Sequence, residues 1–179
     1  MRIVESVAER VAIYISDQPG SSSVAVLKYG LVTLINFILT ILIVLSITTI
    51  TGDLISGLIA IIGFPILRYV TGGLHLKSAI LCNLVTSFFM LLSVYLYIDY
   101  WYNGFILTLI SMLILFIFAP SGIKRSNLGR QYYPLLKISA VLIVGTNLLF
   151  QSHVLALVFF IQALTTASFS INFVKKLNL

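Results

Sequence analysis

Charge is scarce in this chain: only 9% of its 179 residues are Asp, Glu, Lys or Arg, and just five of them are acidic. A soluble domain of this length needs a polar shell over its core, and so few charges cannot supply one. Cysteine occurs once, which excludes an intrachain disulfide and leaves the thiol to packing or to chemistry. Two histidines, one cysteine and scattered carboxylates never fall into a metal-ligand spacing such as His-Glu-x-x-His, so no metal is expected. A phosphate-cradling glycine motif is also missing, which argues against ATP-driven transport by this chain alone and leaves no cofactor to expect. The first 28 residues contain no uninterrupted apolar run behind a basic start; they hold Glu5, Glu9, Asp17 and a polar stretch over residues 18–23. They do not read as a signal peptide.

What is present is apolar. Hydrophobic residues make up 60% of the sequence and the mean hydropathy is +1.12, which points to lipid as the solvent. A spanning helix needs about 20 mostly apolar residues to cross a hydrocarbon core about 30 Å thick. Six stretches approach that length: residues 29–50, 54–71, 78–98, 100–119, 138–152 and 153–173. The second contains Gly57, Gly63 and Pro65, which membrane helices tolerate where neighbours satisfy the freed backbone.

Basic residues supply an independent check. Arg2, Arg10 and Lys28 precede the first stretch; Arg68 and Lys77 flank the junction of the second and third. Lys124, Arg125, Arg130 and Lys137 lie between the fourth and fifth, and Lys175 and Lys176 follow the sixth. The turns near Asp53, Asp99 and Gln151 carry none. This alternation predicts an all-α integral membrane protein of about six transmembrane helices, with both termini and the two basic loops in the cytoplasm. Tyr97, Tyr100, Trp101 and Tyr102 fit an aromatic belt at the outer interface. Ile3, Val4, Val7, Ala8, Val11 and Ile15 recur at helical spacing, predicting an amphipathic helix that lies on the membrane surface or packs on the protein's own loops. Pro19-Gly20 ends it. The expected organisation is one membrane domain: an amphipathic segment over 1–28, a six-helix bundle over 29–173 and a cytoplasmic tail over 174–179. The net charge of +6 calls for no nucleic acid, because anionic membrane lipids already favour basic loops.

Chemistry is most legible between the second and third stretches. Arg68, Gly72, Gly73, His75, Lys77 and Cys82 gather there, including the only cysteine and one of two histidines. A thiolate nucleophile needs a base for its proton and a positive environment for its charge. Cys82 falls about one turn inside the third helix, where the helix dipole and Lys77 favour the thiolate and burial opposes it. Seven residues of continuous helix would separate His75 from Cys82 by about 10 Å, well beyond hydrogen-bond reach. A Cys82/His75 dyad therefore requires a re-entrant or looped segment, which Gly72-Gly73 makes easy and whose backbone N–H groups are candidate oxyanion donors. Blander roles compete. A lone cysteine in a spanning helix is usually a packing residue, a loop histidine is ordinarily solvated, Arg68 and Lys77 serve as topology determinants, and glycines often only end a helix. His153, Asp53 and Asp99 fall on the opposite side, and no third residue orienting His75 is evident. Asn36, Asn83 and Asn147 are polar enough for interhelical hydrogen bonds.

Arg68, the Gly72-Gly73 pair, His75 and Cys82 in this spacing, Arg-x4-Gly-x-His-x6-Cys, resemble the accessory gene regulator protein B (AgrB-like) family of Gram-positive bacteria. The resemblance extends over essentially the whole chain, including the amphipathic start, six spans and a proline-containing basic linker. It implies a membrane-embedded cysteine endopeptidase of quorum sensing in the bacterial cell membrane, with its active site toward the cytoplasm. Such a protein cuts the acidic C-terminal tail from a propeptide, holds the shortened peptide as a thioester and releases a cyclic thiolactone or lactone. Carried over, Cys82 is the nucleophile, His75 the general base and acid, and Gly73 the hinge. Arg68 would hold the substrate backbone or tail, and Lys77, Lys124, Arg125 and Arg130 are the further cations available to an acidic tail. The linker departs from the family pattern: Ala119-Pro120 is present, but Lys124-Arg125 and Tyr133-Pro134 stand where a Lys-Pro is expected. The competing reading is a non-enzymatic peptide exporter or membrane-binding subunit. A homodimer is expected only on the general frequency of dimers.

Overall fold

The computed structural model describes residues 2–18, 22–74, 78–121 and 129–167, which fold as helices joined by short turns, with no strand among them. Helix α1 (Arg2–Ser16) packs on α2 (Val24–Thr51) and buries Ala8 and Ala12, whose small side chains let the two backbones approach. Val7, Val11, Ile13 and Tyr14 stay exposed on its other faces. Lys28 and Glu9 pair across the two helices at 2.8 Å, close to solvent, where such a pair contributes little to stability.

Helix α2 begins five residues before the expected span, with Ser23 at its N-cap, and ends where Gly52 turns left-handed (φ 85°) and donates to the Thr49 carbonyl. Helix α3 (Leu54–Thr71) has the expected bounds and carries Pro65 inside it. Helix α4 (Ala79–Tyr95) stops three residues short of the expected end, at an extended Leu96. A π-turn over Tyr100–Gly104 leads into α5 (Phe105–Phe118), and Asp99 Oδ1 accepts from the amides of Trp101 and Tyr102 at its start. A short 3-10 turn (Arg130–Tyr132) opens α6 (Tyr133–Gly145), α7 (Asn147–Phe150) follows almost in line, and α8 (His153–Thr166) completes the series. The fifth apolar stretch thus begins at Arg130, eight residues earlier than periodicity suggested. Pro134 sits in the first turn of α6, where its missing N–H leaves no hydrogen bond unmade.

Four of these stretches are long and apolar enough to cross a membrane: Val24–Thr51, Leu54–Thr71, Tyr100–Phe118 and Arg130–Phe150. The described apolar parts of α4 and α8, Ile80–Tyr95 and His153–Thr166, are shorter. Large apolar side chains such as Ile62, Leu84, Phe88, Leu113, Phe116 and Leu142 face outward, the reverse of a water-soluble bundle.

The core forms around α8, which packs against α3, α4 and α5. Val154, Val158, Phe159 and Ala163 meet Phe64, Leu67, Met90 and Leu115 there. Small residues set the close approaches. A Cβ on Gly57 would overlap the Thr48 side chain, and one on Gly63 would lie 2.9 Å from a Leu155 methyl. At the end of the bundle holding the α6–α7 break, Asn147 is fully buried and satisfied. Its amide donates to Thr108 Oγ1 and the Ser152 carbonyl and accepts from the Ser152 N–H, while Tyr100 Oη donates to its main-chain carbonyl at 2.8 Å. Tyr100 therefore turns inward, whereas Tyr97, Trp101 and Tyr102 of the expected belt are exposed.

Candidate active site

The opposite end of the bundle is where α3, α5 and α8 stop and α4 starts. Thr71 closes α3, and the next residues leave the helix: Gly72 has φ 68° and Gly73 φ 125°, backbone that other residues rarely adopt. Gly73 donates to the Ser121 carbonyl and the Ser121 N–H donates to Thr71 O, both at 2.9 Å, so the chain after α5 pairs with the chain after α3. Residues 72–74 and 78 are non-helical, which removes the spacing obstacle that a continuous helix through 75 and 82 would impose.

Arg68 reaches over this turn from the last turn of α3. Its Nη2 donates to the Leu74 carbonyl at 2.6 Å, and its guanidinium lies 5.9 Å from the centre of the Phe64 ring. Cys82 sits in the first turn of α4, half-buried, its N–H donating to Ser78 O at 2.9 Å, while the Ser78 side chain caps the helix by accepting from Leu81 N–H. Arg68, Gly72, Gly73 and the nucleophile candidate are thus at one end of the molecule. His75 and Lys77 lie outside the described residues, as do Lys124 and Arg125. Arg130 is described, exposed in the 3-10 turn before α6.

The glycine amides are not bare. Gly72 N–H donates to Arg68 O at 2.8 Å and Gly73 N–H to Ser121 O, so neither is a free donor for an oxyanion. What the glycines provide is the turn itself. A Cβ on Gly73 would stand 2.8 Å from Thr165 Oγ1 and 3.3 Å from Gln162 Nε2.

Those neighbours were not evident from sequence. Gln162 on α8 is fully buried, and its Nε2 donates to Thr71 Oγ1 at 2.9 Å and to the Gly72 carbonyl at 2.8 Å. Thr165 Oγ1 donates to the main-chain carbonyl of Gln162 and lies 3.2 Å from its Oε1. The signal was available, since an amide in an apolar helix needs a partner, the same ground on which Asn83 and Asn147 stood out. Asn83, next to Cys82, donates to the Asn36 carbonyl of α2 at 2.6 Å, and one turn further Ser87 has a buried hydroxyl with no partner among the described residues. Asp53 and Asp99 precede α3 and α5, and His153, beside the Tyr97 ring, starts α8, so all three stand at the far ends of helices that terminate at the site.

A family model described as accessory gene regulator B matches residues 8–174. An AgrB-like protein of Halalkalibacterium halodurans is 30% identical over 88 residues, which is 46% of this chain and 45% of that protein, so the match spans less than half of the curated relative. No solved structure matches the chain.

Proposed function

The chain belongs to the accessory gene regulator B family, and from that premise we propose that it is a membrane-embedded cysteine endopeptidase that matures a quorum-sensing propeptide. The observation that carries the reading is Arg68: its guanidinium, bonded to the Leu74 carbonyl, holds the segment that leads to His75 at the end of the bundle where α4 starts with Cys82 in its first turn. In this reading all six apolar helices span the bacterial cell membrane, α4 and α8 extended by their flanks, with both termini and the site toward the cytoplasm. The segment between α3 and α4 folds back so that His75 meets Cys82.

The chemistry follows from those two groups. Cys82 Sγ, its proton taken by His75, attacks the carbonyl carbon of the peptide bond before the acidic tail. The tetrahedral oxyanion collapses, the C–N bond breaks, and His75 returns the proton to the departing amine of the tail. The shortened peptide is left as a thioester on Cys82. A thiol or hydroxyl within that peptide then attacks the thioester carbonyl, gives its proton to His75 and expels the Cys82 thiolate, closing a thiolactone or lactone ring. The thioester retains much of the acyl energy of the peptide bond, so closure needs no ATP. Ring closure must outrun hydrolysis, and a site sheltered from water that keeps the internal nucleophile close favours it.

Because Gly72 and Gly73 have their amides engaged, they support the turn, and Arg68 is the remaining oxyanion-stabilising candidate of the three. Its planar fork also suits a substrate carbonyl or carboxylate. Lys77, Lys124, Arg125 and Arg130 would supply positive charge for the tail, a reading supported by the pairing of Ser121, which precedes the basic linker, with Gly72. The test is co-expression of a candidate propeptide, encoded beside this gene, with wild type, Cys82→Ala and His75→Ala. Cleavage by wild type alone supports the peptidase. Equal processing by all three ends it and favours a non-enzymatic exporter.

A further inference from the structure

The buried amide of Gln162 has no part in the chemistry above, yet it makes the longest-range polar connection to the turn that enters the site. It lies on α8, some 90 residues along the chain from its partners. Resting on the peptidase reading, we infer that Gln162 is a positioning residue: by gripping Thr71 and Gly72 it fixes the Gly72-Gly73 turn and so aims His75 at Cys82.

Three features carry this. The grip is on backbone as well as side chain, because Nε2 donates to the Gly72 carbonyl as well as to Thr71 Oγ1, and a main-chain bond fixes the direction in which the chain leaves the helix. The grip is itself oriented, since the Gly72 carbonyl can only accept and the Thr71 hydroxyl already donates to the Leu67 carbonyl, so both call for the NH2 side of the Gln162 amide. Finally, the turn is enclosed: Gly73 has no room for a Cβ on the Gln162–Thr165 side, and its N–H is held by the Ser121 carbonyl in the chain after α5. His75 follows Gly73 by two residues. Helices α3 and α8 and the chain after α5 therefore converge on the Gly72-Gly73 peptide, two residues before His75 in the sequence. Gln162 touches neither substrate nor reacting atoms in this account and acts only through that peptide.

The test uses the chain's only cysteine, so it needs no propeptide. The rate of N-ethylmaleimide addition to Cys82 is followed against pH in the full-length protein in lipid nanodiscs, for wild type, His75→Ala and Gln162→Met. Met keeps the length of the side chain and cannot donate. A histidine aimed at the thiol gives the wild-type profile an inflection that His75→Ala lacks. The expected result is that Gln162→Met shows the His75→Ala profile while its thermal midpoint shows a folded protein. With a cleaved propeptide, its turnover at saturation falls on the order of 100-fold and its half-saturating concentration changes by less than about threefold, because misaiming a base harms chemistry more than capture. If wild type and His75→Ala share one profile, the dyad itself fails and the inference falls with it. If those two differ and Gln162→Met behaves as wild type, the inference alone is overturned. Should Gln162→Met fail to fold, Gln162→Leu decides: it removes both bonds with a strong helix former, and an unaltered profile overturns the proposal.

Discussion

Replacing Gly73 by alanine tests the turn most sharply, because its cost can be assembled from separate parts. The φ of 125° is backbone that an alanine adopts only under strain, about 1–3 kcal/mol for such regions. The new methyl would stand 2.8 Å from Thr165 Oγ1, so the hydroxyl must move and give up its bond to Gln162 O, about 1 kcal/mol. The sum is roughly 2–4 kcal/mol. Thr165→Ala on its own should cost about 1 kcal/mol, from the lost hydroxyl bond. In the double variant the steric part disappears and the backbone strain stays, so the two changes should couple favourably by about 1 kcal/mol. Unfolding of the purified protein in mixed micelles titrated with SDS gives all four stabilities. A Gly73→Ala protein within about 0.5 kcal/mol of wild type, or a cycle additive to within that figure, would refute the enclosed-turn description.

Other sites give independent outcomes. Asn147→Ala leaves the Ser152 N–H without its acceptor and takes one donor each from the Ser152 carbonyl and the Thr108 hydroxyl, which keep their bonds to the Ala156 N–H and the Gly104 carbonyl, and should lower stability by about 2 kcal/mol in the same titration. Tyr100→Phe, which removes one bond to the Asn147 carbonyl, should cost only about 1 kcal/mol. Gly57→Ala drives a methyl into Thr48 and should destabilise the α2–α3 contact by about 1–3 kcal/mol, with part of the loss recovered in Gly57→Ala/Thr48→Ala. Arg68→Lys keeps the topology charge but loses the fork. Propeptide cleavage should fall at least about tenfold while accessibility labelling of the loops reports an unchanged orientation. Unimpaired cleavage would reduce Arg68 to a topology residue.

Hydropathy located the helices well because membrane helices are written as long apolar runs. The bounds of α3 were legible to the residue, since Asp53 and Gly72 punctuate it. The start of α6 was not: Tyr133-Pro134 resembles loop, yet proline at a helix start is harmless. Which helix is central was also hidden. Lipid is as apolar as a protein core, so the exposed Phe88 or Leu113 and the buried Val158 or Phe159 carry the same signal. At the candidate site, Arg68, the glycines and Cys82 stood out in the sequence because ionisable groups and paired glycines are rare at such positions. The Gly73–Ser121 pairing and the Gln162 grip were not, because they depend on segments brought together from about 50 and 90 residues away. Tyr100 misled for a related reason: a tyrosine beside an outer turn suits either an interface or a buried carbonyl.

The central claim is that Cys82 forms an acyl bond to the propeptide. Purified wild type and His75→Ala in lipid nanodiscs would be mixed with the propeptide, quenched in acid within seconds and read by intact mass spectrometry. The account predicts a wild-type adduct equal to the propeptide minus its acidic tail, mapped to Cys82, released by neutral hydroxylamine and nearly absent in His75→Ala. Release of the tail by the wild-type protein with the Cys82 thiol free throughout, or equal release from Cys82→Ala, would contradict it.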